Sequence, residues 1–387
     1  MERNLTVNKL IIDITLILLL LSLAKIFEAF LRYIHIEPFI SWFIAGIILN
    51  IVVGNNISTQ YFENIIRFTA ILIVFLMGLS TDVEFLKHRA RNSIIIGIFG
   101  ISLTFILTFI VLHIIIRISL SLSLILSIIL SNTASEIVSV ATKAISHLDV
   151  KDYAIGASIF DDILAIVFTS IYLMLTNPIK IINSAMIGIP IFIAIITLIY
   201  VFSRIYIVVR KEFLKSIFIA LLFISTAIAI YIEFSEILIA FLLGLFIKYV
   251  SRGHDHLLRY ASIVSELRDD LEKILNIFFL PILFTSIGLM INISSININN
   301  IIMLALAMSI GKFLGCSIPS YYIVKDRLKS IELGVIMNLR GFLENTLILT
   351  LFIHGYMDTA FYSTIAVTPI IVTLATLVVI QIIKFYS

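Results

Sequence analysis

The chain has one cysteine, Cys316, set inside an apolar run, so there is no disulfide framework, no thiol cluster for a metal and little scope for redox chemistry. It is poor in charge: 13% of residues are Asp, Glu, Lys or Arg against 61% hydrophobic, whereas soluble domains carry about 25% and about 45–50%. A soluble globular protein is therefore excluded, and a polytopic membrane protein is expected. A net charge of +3, with the basic residues in short loops and not on one face, excludes a nucleic-acid binder. No Gly/Ser/Pro-rich linker or extramembrane domain is expected, and the chain stops just after its last apolar span.

What is abundant is apolar runs long enough to cross a bilayer. Reading them by length predicts an all-α protein of about thirteen transmembrane helices, roughly 10–31, 38–53, 61–80, 92–116, 120–143, 153–176, 184–209, 216–232, 235–250, 274–291, 300–324, 331–354 and 358–385. The first lacks a small-residue cleavage pattern after it and reads as a helix, not a signal peptide. Basic residues concentrate in alternate loops: Arg32; Lys87, Arg89, Arg91; Lys143, Lys151; Arg210, Lys211, Lys215; Lys248, Arg252, Arg259, Arg268, Lys273; Lys325, Arg327, Lys329. The opposite face has little beyond Arg3, Lys9, Arg117 and Lys180. A cell-membrane location is expected, with the N-terminus outside and the C-terminus, with Lys384, cytoplasmic. The longest hydrophilic stretch, 251–273, carries Ile263, Leu267, Leu271 and Ile274, which suggests a surface amphipathic turn or two.

Against this background a few charges stand out. Asp161 and Asp162 are adjacent in the middle of a span, where burying one carboxylate costs from about 3 to over 10 kcal/mol. Such a pair needs a cation, a proton or a basic partner. Lys312 also falls mid-span, too deep to reach water easily, and is the evident partner for Asp161 or Asp162. Two spans are interrupted by polar residues: Ser131-Asn132-Thr133-Ala134-Ser135-Glu136 in the fifth and Met337-Asn338-Leu339-Arg340-Gly341-Phe342-Leu343-Glu344-Asn345-Thr346 in the twelfth. Short polar side chains and glycine compete with the helical ladder, so both are candidates for broken helices whose freed carbonyls face a midplane site; the plainer alternative is polar glue between helices. The first precedes the span with the aspartates and the second follows the span with Lys312. Spans 4–6 and 11–13 are therefore expected to be inverted repeats with two crossed broken helices, the pattern of a secondary transporter.

Smaller features have mainly structural readings. Lys25 with Glu28, and Glu63 with Arg67, are spaced for local pairing. Glu233 and Glu236, beside an outward turn with no basic residue nearby in sequence, would concentrate cations at a funnel mouth, although solvated loop carboxylates are common. His113, His254 and His256 lie near helix ends or loops. A channel would need a filter, and nothing resembles one. An intramembrane hydrolase would need a nucleophile with a base, and Ser158, three residues before Asp161, has no histidine at membrane depth.

Eight motifs in order resemble the monovalent cation:proton antiporters of the second branch, which includes Kef-type and NapA-type exchangers. They are Glu37-Pro38 with Ala45-Gly46; Phe75-Leu76-Met77-Gly78-Leu79-Ser80-Thr81-Asp82; Ser131-Asn132-Thr133-Ala134; Phe160-Asp161-Asp162-Ile163; Ala240 to Gly244; Phe279-Leu280-Pro281 to Gly288; Gly311-Lys312; and Arg340-Gly341. The resemblance implies a homodimer in the lipid bilayer that exchanges Na+ (or Li+) for H+, with no cofactor beyond the transported ions; K+/H+ exchange is the alternative. It implies a mobile ion-carrying core at 92–183 (helices 4–6) and 300–387 (helices 11–13). Dimerisation helices would lie at 1–91 (helices 1–3) and 216–299 (helices 8–10), with a linker helix 7 at 184–215. Asp162 would alternately hold Na+ and a proton, Asp161 would pair with Lys312, and Thr133 with nearby carbonyls would complete the shell of a hard cation. Ser131, Asn132, Glu136, Arg340 and Glu344 would be broken-helix or accessory residues. The chain departs from the family in two places: the family often has Ser-Ser-Thr where this chain has Ser131-Asn132-Thr133, and glutamate directly after Arg-Gly, where this chain has Phe342 and places Glu344 two residues later; these departures bear on the roles of Arg340 and Glu344 and on the ion preference. Members with two acids at the aspartate pair resemble electrogenic exchangers, whereas those with asparagine before the aspartate tend to be electroneutral; the resemblance therefore implies electrogenic exchange here, with electroneutral Na+/H+ exchange as the alternative.

Overall fold

The computed structural model describes residues 2–33, 37–53, 60–81, 83–142, 148–175, 190, 193, 197, 211–232, 234–253 and 259–386. Every regular element among the described residues is helical. In chain order they are α1 (Glu2–Arg32), α2 (Pro38–Val53), α3 (Gln60–Ser80), α4 (Val83–Phe109, extended by a π-turn over Ile110–Ile115), α5 (Leu120–Leu130), α6 (Ser135–Ala141) and α7 (Leu148–Leu175). There follow α8 (Lys211–Tyr231), α9 (Glu236–Gly253), α10 (Arg259–Ile274), α11 (Leu280–Leu289), α12 (Ile298–Val324), α13 (Arg327–Ile336), α14 (Phe342–Ile353) and α15 (Thr359–Tyr386). Seven segments among the described residues are long and apolar enough to cross a membrane: Arg91–Ile115, Leu120–Ala141, Val150–Met174, Lys211–Tyr231, Tyr260–Leu289, Ile298–Val324 and Thr359–Ile382. The expected span 184–209 with the linker helix built on it, apart from residues 190, 193 and 197, and Asp82, Lys180, Glu233, His254 and His256 lie outside the described residues.

Helix ends follow local chemistry. Asp326 caps α13 by accepting from the amides of Leu328 (2.9 Å) and Lys329 (3.3 Å), after Lys325 has ended α12 in a left-handed conformation (φ 57°). Asn297 opens α12 in the same way, accepting from Asn300 N at 3.2 Å. α12 is apolar on all sides and uses them differently. Ile298, Ile302, Leu306, Ile310, Leu314, Ile318 and Tyr322 form an exposed stripe at four-residue spacing, while Leu304, Met308, Gly311, Lys312, Gly315 and Cys316 are buried. The exposed stripe suits lipid tails.

Close backbone approaches, made by glycines, set how the helices stack. A Cβ on Gly78 would strike the Phe241 carbonyl and one on Gly244 the Phe75 carbonyl, so α3 and α9 meet glycine to glycine; Gly46 and Gly288 do the same for α2 and α11. α1 packs on α2 and α11, and α8 packs on α9. α4 lies against α12 and α7, with Gly311 pressed on the Thr104 backbone, and α5, α6 and α13 also touch α7.

One stretch differs from expectation. Instead of a surface turn or two before a span, α10 runs for 16 residues and passes without a break through the π-turn Leu275–Phe279 into α11. Its apolar positions are the cause: Ile263, Val264, Leu267, Leu271 and Leu275 are all buried, a helical spacing that continues in phase into the apolar run, whereas Ile274 is 46% exposed. The helix is docked as well as amphipathic, with Lys215 of α8 bridging to Asp270 at 2.7 Å.

Candidate functional site

The polar interruptions are real breaks. α5 ends at Leu130 and α6 begins at Ser135; α13 ends at Ile336 and α14 begins at Phe342. The two breaks bond to each other. Ala134 N donates to Leu339 O (2.9 Å), Thr133 Oγ1 to Met337 O (2.8 Å), and an Arg340 guanidinium nitrogen to Asn132 O. Glu136 Oε1 accepts from Phe342 N at 2.9 Å, so a carboxylate of one broken helix caps the second half of the other. Thr373 of α15 clamps Arg340 from the far side, its hydroxyl accepting from Arg340 N (2.8 Å) and donating to Arg340 O (2.9 Å).

Lys312 and the aspartates enter this crossing from α12 and α7. Lys312 Nζ lies 2.5 Å from Asp161 Oδ2 and donates to Ser131 O at 2.7 Å, and both side chains of the ion pair are fully buried. The open choice of partner is thus decided for Asp161. Asp162 Oδ1 accepts from Asn132 Nδ2 at 3.0 Å. Both buried cations, Lys312 and Arg340, attach to carbonyls at the C-terminal end of α5, where positive charge offsets the helix dipole.

All nine residues singled out from the sequence meet here. Asp161, Asp162, Thr133, Lys312, Asn132, Ser131, Arg340 and Glu344 are each at most 3% exposed, and Glu136 is partly exposed. Ser131 serves through its carbonyl, since its hydroxyl donates to Ile128 O at 2.7 Å. Glu344 feels the charges of Arg340, Lys312 and Glu136. Several polar atoms of the cluster are buried with no hydrogen-bond partner among the described residues: Asp161 Oδ1, Asp162 Oδ2, Asn132 Oδ1, Glu136 Oε2, Arg340 Nε and Nη2, and both Glu344 oxygens. Ser135 was missed by the sequence reading. Its hydroxyl approaches both Asp162 and Glu136, and its place in the polar run ending at Glu136 was the available signal.

The peripheral expectations fare unevenly. Lys25 and Glu28 do pair, at 2.8 Å, and Trp42 Nε1 also donates to Glu28 at 3.0 Å. Arg67 pairs with Glu236 at 2.5 Å. Glu236 therefore does have a basic neighbour, because glycine-to-glycine packing of α3 on α9 brings Arg67 beside it from a distant part of the sequence; the side chain of Glu63 lies outside the described residues. A small cleft lies there, lined by Arg67, Glu236, Thr350 and His354 among others. Ser158 only donates back to Ile155 O at 3.0 Å.

The transmembrane sodium/hydrogen exchanger family model matches residues 16–384. The chain belongs to the sodium/hydrogen exchanger family. That makes it a multi-pass membrane protein and a secondary transporter, not an enzyme. The resemblance read from the motifs holds at this level, while the narrower label of the second, Kef- and NapA-type branch is slightly off. No curated protein matches by sequence. Among solved structures, the sodium proton antiporter MjNhaP1 from Methanocaldococcus jannaschii at pH 8 is similar over 96% of both chains, with TM-score 0.69 and 18% identity. An electron-microscopy structure of the same antiporter covers 96% of this chain and 95% of its own, with TM-score 0.72 and 17% identity. The exchanger thus shares that fold over nearly its whole length.

Proposed function

We propose that this exchanger moves Na+ or Li+ against H+ at Asp162 by alternating access, two protons for each Na+. The observation that carries the reading is the asymmetry of the aspartate pair. Asp161 is neutralised by Lys312 at 2.5 Å, while Asp162, next in the chain, has one oxygen held by Asn132 and one free. A buried free carboxylate oxygen is a binding site for a proton or a hard cation, and the two compete for it. Thr133, whose hydroxyl proton is already given to Met337 O, retains lone pairs for the same ion. The loaded or protonated site can cross the membrane, and the bare charged site cannot. When Na+ separates Lys312 from Asp161, Lys312 releases its proton on that side and takes one up again when Na+ leaves on the other, so two protons return for each Na+ and the cycle is electrogenic.

Helices 4–6 and 11–13, each repeat carrying one of the crossed breaks, are read as inverted repeats of a mobile core among thirteen transmembrane helices. α1–α3 with α8–α11 are read as the dimerisation domain of a homodimer with its N-terminus outside. The pairing of α2 with α11 and of α3 with α9 supports that division. Asp162→Asn keeps the shape and hydrogen bonding of the site but cannot carry the charge; it should abolish Na+-driven proton movement in proteoliposomes while the protein remains folded. Wild-type exchange by that variant would refute the assignment.

A further inference from the structure

Two buried cations, Lys312 and Arg340, face four carboxylates, Asp161, Asp162, Glu136 and Glu344. Lys312 accounts for Asp161. Glu136 is also near enough to Asp162 for the two charges to interact. Glu136 and Asp162 are built alike: one oxygen is tied down, to Phe342 N and to Asn132 Nδ2 respectively, and the other is buried and free. The Ser135 hydroxyl approaches both, and Asn132 Oδ1, on a side chain 2% exposed that already touches Asp162, is a further buried oxygen without a partner. Two partnerless carboxylate oxygens, Asp162 Oδ2 and Glu136 Oε2, therefore belong to groups that share one neighbouring hydroxyl, and a third partnerless oxygen is on the side chain that holds Asp162, an arrangement that asks for a bound cation.

We infer that Glu136 is a second anionic ligand of the transported cation, and that the Asp162–Glu136 pair makes the site selective for Na+ and Li+ over K+. This rests on the reading of Asp162 as the cation ligand. The selectivity follows from field strength. Attraction to an anionic oxygen grows as the ion's radius shrinks, so two carboxylates favour a small ion by more than one does, enough to offset its larger dehydration cost. The tether from Glu136 to the start of α14 has a second effect: the ligand from one broken helix is positioned by the other, so the cage is complete only while the two are crossed.

The test is the full-length exchanger in proteoliposomes, with proton movement driven in turn by Li+, Na+ and K+. Glu136→Gln keeps an oxygen to accept from Phe342 N but removes the charge. It should retain exchange, raise the apparent KM for Na+ by about tenfold or more, and narrow the Na+-to-K+ ratio of kcat/KM by a similar factor. Glu136→Asp keeps the charge and withdraws it by one methylene, so it should shift preference toward the larger ion with a smaller loss of affinity. Stabilisation of each purified variant against heat by added NaCl, compared with KCl, gives a readout independent of turnover, and the Na+-specific part should vanish in Glu136→Gln. If Asp162→Asn is inactive yet both Glu136 variants keep the wild-type KM and ion preference, the inference falls and the Asp162 reading stands. An equal loss of affinity for all three ions also overturns it. If Asp162→Asn exchanges normally, the underlying reading is what has failed.

Discussion

Lys312→Ala removes the ammonium that both neutralises Asp161 and binds the Ser131 carbonyl at the end of α5. Its side chain is 0% exposed, as is that of Asp161, so water does not replace it. Deleting one member of a buried ion pair typically costs about 3–5 kcal/mol, and orphaning the Ser131 carbonyl about 1–3 more, so a loss on the order of 5 kcal/mol is expected. With an unfolding entropy of about 2.1 cal/mol/K per residue, 387 residues give roughly 0.8 kcal/mol/K, and the melting temperature should fall by about 6 °C. The single tryptophan, Trp42, buried beside Glu28, provides the fluorescence signal for a thermal scan in detergent. The cause can be isolated with a double variant. Lys312→Met with Asp161→Asn leaves no uncompensated charge and should recover more than half of the lost stability, while exchange stays impaired. A Lys312→Ala melting point within about 1 °C of wild type, or a double variant no more stable than the single one, would refute the ion-pair argument.

Competition at Asp162 predicts that the apparent KM for Na+ rises as pH falls, by up to about tenfold per unit for a single proton, with maximal rate little changed; a KM that stays flat between pH 8 and pH 6 would show that protons act elsewhere. Two-for-one exchange predicts that a Na+ gradient builds a membrane potential in sealed vesicles and that clamping it with a K+ ionophore speeds exchange. Exchange that ignores an imposed voltage would make one-for-one electroneutral transport the better account.

The sequence is legible where hydrocarbon leaves no alternative. An aspartate pair and a lysine at bilayer depth had to find each other or an ion, and short polar runs inside apolar spans had to break the helix, so the site was visible before any fold was. Which aspartate Lys312 takes was not visible from the residues alone. Asp161 and Asp162 are consecutive on α7 and point about 100° apart, and only the packing of α4 between α7 and α12 decides which one faces Lys312. The same limit explains Arg67 and Glu236, whose meeting depends on Gly78 and Gly244 bringing two distant helices into contact. It explains Glu136 above all. In sequence it is one more polar residue after a break, with the ordinary reading of an acid in the first turn of a helix. In the fold, the helix end it caps belongs to the other broken helix, so the residue that ties the crossing together also keeps one buried carboxylate oxygen free. A mobile core built this way would not move its two breaks separately, because sliding one past the other would strip the Phe342 amide of its acceptor and an Arg340 nitrogen of its carbonyl together. The crossing should therefore travel as a rigid unit, and access should alternate at the surface where α14 and α7 meet α3 and α9.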